Sequence, residues 1–207
     1  MEEPIMTWDY FDKIVCLNLP SRTDRREQAQ AEFDRVGVSP EWVTAQSADD
    51  GRIGLIQTLH DVFAENYSAR SILIFEDDVQ FKNDPVNKLR LALMDLRYIF
   101  HDAFDMLYFG ANLTEPCITV TNNLMLIHNA LACHAVCYNH RIFDVYMRHL
   151  KRVSDQGFIA TDEDINDVWL TKIQAHGKCL MVHPRIATQR AGYSDLEKRF
   201  TDYTNIL

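Results

Sequence analysis

The stretch that most constrains this chain is Ser71-Ile72-Leu73-Ile74-Phe75-Glu76-Asp77-Asp78-Val79-Gln80-Phe81, an unbroken apolar run that ends in three consecutive acids. Residues 72–75 are apolar without alternation, so the strand they predict is covered on both faces, as strands are in a parallel sheet flanked by helices. Ligand sites of such sheets lie beyond the carboxyl ends of the strands, which is where these acids stand. Side-chain alternation sends Glu76 and Asp78 one way and Asp77 the other, so the outer pair can share a ligand. Adjacent carboxylates on an apolar edge repel one another unless a cation or hydrogen-bond donors offset them. An all-oxygen set suits magnesium or manganese, ions that keep waters and bridge to phosphates. Taken by itself, the tripeptide reads equally well as a strand running into a solvated acidic turn.

Around this stretch, strand and helix patterns alternate. Ile14 to Leu19 is a second apolar run, broken by Pro20, and the polar Ser21-Arg22-Thr23-Asp24-Arg25-Arg26-Glu27 leads into a helix that Gly37 stops after Val36, with Ser21 or Thr23 as its cap. Three arginines at a strand's carboxyl end and a helix's start form a candidate anion site; a solvated basic first turn is the alternative. Glu41 to Ala45 is a short strand, and Ile53, Ile56, Leu59, Val62 and Phe63 mark the buried face of a helix running to Tyr67. Asp84 and Pro85 open a helix to about Phe100, and Asp105–Asn112, Ala130–Tyr138 and Lys178–His183 read as strands, with loop or edge structure from Thr114 to Leu126. Arg141 to Val153 has helical spacing. Asp162, Glu163, Asp164 and Asp167 precede Val168, Trp169 and Leu170, as in a helix whose first turns favour negative charge. Those acids either cap the helix or supply chemistry. Ile186 to Glu197 reads as an ordered loop closing in a helical turn. No repeat or linker interrupts the order, so one α/β domain over residues 1–207 is expected.

The composition narrows the partners. Of 207 residues, 47% are hydrophobic and 25% charged, and the net charge of -9 opposes a nucleic-acid or anionic-membrane surface as the main partner. A small ligand is expected. The 5 cysteines lack metal-type spacing, which points to a reducing compartment. Residues 1–12 have no signal-like apolar core and no segment approaches about 18 apolar residues, so no transmembrane segment and a cytoplasmic location are expected. The sequons at Asn66 and Asn112 are read as chance matches.

Taken in order, Ile14–Leu19 with Ser21-Arg22-Thr23-Asp24-Arg25, the Leu73-Ile74-Phe75-Glu76-Asp77-Asp78-Val79 strand, and Gln189-Arg190-Ala191-Gly192-Tyr193-Ser194-Asp195-Leu196-Glu197 resemble the family-25 glycosyltransferases, which include lipopolysaccharide-biosynthesis sugar transferases and collagen galactosyltransferases. The resemblance implies a GT-A-like α/β/α sandwich around a mostly parallel sheet. It implies transfer of a hexose from a nucleoside diphosphate sugar, such as UDP-galactose or UDP-glucose, to a hydroxyl on a glycan or protein acceptor, with inversion. Asp78 would ligate manganese or magnesium, with Glu76 near the ion's waters or the ribose. Leu19, Arg22, Arg25, Glu76, Asp77, Gln189 and Ser194 would form the nucleotide-sugar site. Asp167, ahead of an apolar pair, matches the family's base best, and Asp164 is the second choice. The Gly-Cys…Ser-His pattern of many members is reduced here to Gly54 and His60. A non-catalytic nucleotide- or glycan-binding module of the same fold is the rival reading.

Overall fold

Ile72 and Ile74 turn to one face of their strand and Leu73 and Phe75 to the other, and both faces are covered in the computed structural model, which describes residues 7–202. The strands are β1 (Lys13–Asn18), β2 (Glu41–Thr44), β3 (Ser71–Glu76), β4 (Val79–Phe81), β5 (Met106–Tyr108), β6 (Asn112–Leu113), β7 (Ile118–Thr119), β8 (Leu124–Leu126), β9 (Ala130–Leu131), β10 (Ala135–Asn139), β11 (Cys179–Val182), β12 (Ala187–Gln189), β13 (Gly192–Ser194) and β14 (Arg199–Thr201). The helices are α1 (Thr23–Val36), α2 (Gly51–Glu65), α3 (Pro85–Tyr98), α4 (Phe143–Gln156) and α5 (Asn166–Gln174).

Eight strands form the central sheet in the order β2-β1-β3-β10-β5-β11-β8-β7. β1 pairs parallel with β2 and β3, and β5 with β11, while β10 and β8 run against their neighbours. Six of the eight strands therefore point the same way, as expected of a mostly parallel sheet. Ala29 and Phe33 of α1 and Leu89 and Leu93 of α3 pack on the face carrying Leu73 and Phe75. Ile56 and Phe63 of α2, Tyr146 and Leu150 of α4 and Leu170 of α5 pack on the face carrying Ile72 and Ile74.

From β1 the chain crosses by α1 to β2 on one side, then by α2 to β3 on the other. The direction of winding reverses at β1 and β3, and a reversal of this kind opens a crevice outside the carboxyl ends of the two strands. Both the arginine loop and the acid triplet stand there.

Local details depart from the sequence reading where partners distant in sequence compete with local signals. The cap of α1 is Arg22, without a side-chain cap bond, rather than Ser21 or Thr23. Gly37 ends the helix at φ 69, the left-handed conformation that favours glycine. α3 stops at Tyr98, and the acidic run before Trp169 is split into a 3₁₀ turn, Asp162–Asp164, and α5. The helical turn expected near the end is instead the antiparallel β13–β14 hairpin. Gly110 permits a close backbone approach, since a Cβ there would lie 2.1 Å from the Ala187 carbonyl oxygen.

Candidate functional site

The alternation of β3 sets the site. Glu76 continues the Ile72 and Ile74 side, toward α5, and Asp77 continues the Leu73 and Phe75 side, toward α1. Asp77 is buried and fully engaged: Asn18 Nδ2 donates to Oδ2 at 2.8 Å and Arg25 Nη1 to Oδ1 at 2.8 Å. β3 ends at Glu76, so a turn rather than strand geometry directs Asp78. Arg25 Nη1 stands 3.4 Å from Asp78 Oδ2, the Gln189 side chain hydrogen-bonds the same carboxylate, and the Arg190 N–H donates to the Asp78 carbonyl at 2.7 Å. The other oxygen, Oδ1, is buried without a partner.

The other two acids are poorly compensated. Burial, then repulsion from Asp78, Asp77 and Asp167, pushes the Glu76 carboxyl well above the usual carboxylate range. Burial pushes Asp78 up to about 6, with Arg25 pulling against it. Asp167 thus reaches Glu76 electrostatically from a segment far along the chain. Its Oδ2 accepts from the Ala132 N–H at 3.2 Å, and Oδ1 accepts from the Val168 N–H at 2.9 Å, which holds the carboxylate at the start of α5. Ala132 has φ 72, so the β9–β10 connection turns sharply to aim that N–H.

Two side chains clamp α5 in place. Tyr146 donates to Asn166 Oδ1 at 2.6 Å at its start, and near its end the wholly buried Gln174 donates to Tyr108 Oη at 2.8 Å and brackets the Ala130 backbone. Asp164 has a different environment. It is buried, paired with Arg152 Nη2 at 2.5 Å, and accepts from the Ala160 and Thr161 N–H groups, so its carboxyl is held below the usual range, by the Arg152 hydrogen bond foremost. It serves the local turn, while Asp167 faces the acids of β3.

The arginines lie where the sequence placed them, yet both are engaged by protein groups. Arg22 forks onto Asp24 through Nε and Nη2 at 2.9 Å and gives Nη1 to Asp195 at 2.5 Å and to the Tyr193 carbonyl at 3.3 Å. Arg25 Nη2 also donates to the Tyr193 carbonyl, at 3.0 Å. Leu19 is half-buried at the exit of β1, its carbonyl accepting from the Arg22 N–H, and Ser194 Oγ accepts from the Glu197 N–H at 3.2 Å. Sequence reading missed Asn18, whose signal was a lone amide ending an apolar strand, and Cys133. Burial pushes the Cys133 thiol up, as do the charges of Asp167 and Glu76, which puts it beside the same acids.

Among the described residues, no group of three or more His, Cys, Asp or Glu side chains could hold a metal ion on its own. The chemistry of the acids fits a divalent cation completed by a ligand: Asp78 Oδ1 lacks a partner, and the raised proton affinities of Glu76 and Asp78 reflect burial and like charge that Arg25 alone does not offset. No helix among the described residues is long and apolar enough to cross a membrane.

No protein-family model matches the chain. No curated protein matches it in sequence. Among solved structures, it is similar to a glycosyltransferase involved in the glycosylation of the major capsid of PBCV-1, with TM-score 0.50 at 8% identity over 82% of this chain and 80% of that one. Weaker likenesses join it to a protein of STIV, TM-score 0.49 at 10% identity over 92% and 95% of the two chains. Another is to a CTP:phosphocholine cytidylyltransferase from Streptococcus pneumoniae, TM-score 0.39 at 10% identity over 86% and 72%. The first of these likenesses shows the fold, which is GT-A-like: a mostly parallel sheet between two helical layers.

Proposed function

We propose that this chain transfers a sugar from a nucleoside diphosphate sugar to an acceptor hydroxyl, as the resemblance to the family-25 glycosyltransferases implies, with a UDP-hexose as donor and a glycan or protein as acceptor. The observation that carries this reading is the convergence of Glu76, Asp78 and Asp167 at the carboxyl edge of the sheet, beside the β1 and β3 ends where the direction of winding reverses. Clustered carboxylates in a half-buried site are costly without a ligand, and a cation-bound diphosphate relieves that cost.

Asp78 and Glu76 would hold manganese or magnesium, which neutralises charge on the diphosphate leaving group. The remaining duties belong to the chain's own residues. Arg22 and Arg25 meet the diphosphate with guanidinium donors at the start of α1. Gln189 orients the Asp78 carboxylate, Leu19 and Asp77 complete the wall of the nucleotide site, and Ser194 stands at its edge on the β13–β14 hairpin. Asp167 takes the proton of the acceptor hydroxyl as its oxygen bonds to the anomeric carbon. The bond from that carbon to the diphosphate oxygen breaks at the same time, and the electron pair leaves with the diphosphate. One displacement of this kind inverts the anomeric centre.

Turnover of a panel of nucleoside diphosphate sugars, with manganese and with excess chelator, tests the reading. The wild type releases nucleoside diphosphate only with the cation present. Asp167→Asn keeps the side chain's shape and one of its two acceptor bonds but removes the base, so turnover falls by about 10²-fold or more while nucleotide affinity survives. Asp164→Asn, which breaks the Arg152 pair, lowers stability and leaves turnover per folded molecule near normal. Full turnover in Asp167→Asn, or equal turnover with chelator, sinks this assignment.

A further inference from the structure

Among the described residues, β13 and β14 pair with each other in a two-stranded sheet separate from the main one. It nevertheless lies over the site. Asp195 Oδ2 accepts from Arg22 Nη1 at 2.5 Å, and the Tyr193 carbonyl accepts from Arg22 Nη1 at 3.3 Å and from Arg25 Nη2 at 3.0 Å. At its tip, Leu196 packs against the first turn of α2, close enough that a Cβ on Gly51 would lie 2.9 Å from Leu196 Cδ2. The Lys198 charge acts on Asp50, the cap of that helix. The hairpin therefore spans from the start of α1 to the start of α2, across the carboxyl ends of β1 and β2.

All three nitrogens of the Arg22 guanidinium are in use: Nε and Nη2 on Asp24, Nη1 on Asp195 and Tyr193. Both Arg25 terminal nitrogens are in use as well, one on Asp77 and Asp78 and one on Tyr193. Both Arg22 Nη1 contacts and the one Arg25 Nη2 contact go to the hairpin, so an incoming phosphate oxygen takes over those particular contacts only by replacing Asp195 and the Tyr193 carbonyl. Asp77 is buried, and Asp24 is two residues from Arg22 in the same helix turn, so neither departs readily. The hairpin can. Tyr193, Leu196 and Phe200 are 50%, 46% and 70% exposed, so much of its apolar surface is outside the core and little is lost when it lifts.

We propose that residues 192–201 form a strap that competes with the donor for Arg22 and Arg25, the Asp195 carboxylate and the Tyr193 carbonyl standing in for phosphate oxygens. This rests on the nucleotide reading given above. Donor capture and strap release are then one event, and the strap discriminates against ligands with too little negative charge to displace a carboxylate. A diphosphate, with several charge-assisted contacts to offer, replaces Asp195; a lone neutral sugar does not.

The test uses the full chain and UDP with manganese as the probe, alongside ADP, GDP and CDP. Asp195→Asn keeps the side chain's shape and removes its charge, so the best-binding nucleoside diphosphate binds about 5-fold tighter than to the wild type. Leu196→Ser loosens the strap by a different contact and shifts affinity in the same direction. Amide hydrogen exchange across 192–201 speeds up in both variants without ligand, and in the wild type only when nucleotide is added. If nucleotide binds, Arg22→Ala weakens it, and Asp195→Asn binds no tighter than wild type, the strap idea is overturned while the nucleotide reading stands. If no nucleoside diphosphate binds the wild type or either variant, both are overturned.

Discussion

Asp77 and Asp78 share one arginine, Arg25, but differ in what else holds them. Asp77 has a second donor in Asn18 and is buried, while Asp78 keeps one oxygen without a partner. Replacement separates these two duties. Asp77→Asn loses a buried ion pair and keeps one hydrogen bond, so it costs about 1–3 kcal/mol of stability, a fall of roughly 2–10 °C in Tm for a chain of this size. Asp78→Asn changes Tm little and abolishes most of the stabilisation that UDP with manganese provides in a thermal-shift titration. Equal loss of ligand-induced stabilisation in the two variants would show that the acids are not divided in this way. The place of the acids at the end of a buried strand was legible in the sequence, because the apolar run stops at three consecutive carboxylates. Their partners were not. Asn18 lies 59 residues from Asp77, and Arg25 lies 52 residues from it, separations over which no local pattern carries information.

α4 and α5 are joined by stacked rings: Tyr138 on Tyr146 at 5.4 Å, Tyr146 on Trp169 at 5.7 Å and His149 on Trp169 at 4.2 Å. His149 is buried, with Arg152, Asp164 and Lys172 around it. Burial first, and the Arg152 charge second, lower its pKa from 6.5 to about 4. The unfolded chain therefore takes up this proton below about 6.5, and the folded chain only near 4. Stability present at neutral pH is lost as pH falls through that window. His134, also lowered to about 4 by burial, acts with the same sign. His149→Phe keeps a ring on Trp169 and removes one titrating group, so its Tm falls less steeply than that of the wild type between pH 6.5 and pH 4; parallel curves would refute this. The helix carrying Trp169 was legible from its apolar face, but the acids before it did not reveal which one turns inward to the turn and which faces β3. The β13–β14 hairpin was illegible for another reason: each strand has only three residues, too few to establish a period of two.

The alternation of strands and helices was legible along most of the chain and sufficed for the layered α/β class and for placing the acid triplet at the carboxyl edge of the sheet. The order of strands was not, because β10 enters between β3 and β5 against their direction, a choice made by the docking of distant segments. That reversed insertion divides the chain in time as well as in space. β1, β2 and β3 are neighbours joined by single-helix crossovers, so residues 13–76 need only short loop closures to assemble, whereas β10, β5 and β11 must find one another across longer spans. Pulse-labelled hydrogen exchange during refolding is expected to find the amides of β1 and β3 protected before those of β10 and β11; simultaneous protection would contradict it. Until α5 docks, Glu76 meets the charges of its own neighbours Asp77 and Asp78 but not that of Asp167. The last share of the like-charge repulsion at the sheet edge is thus incurred late, and its relief by a bound cation and nucleotide would slow unfolding rather than hasten folding.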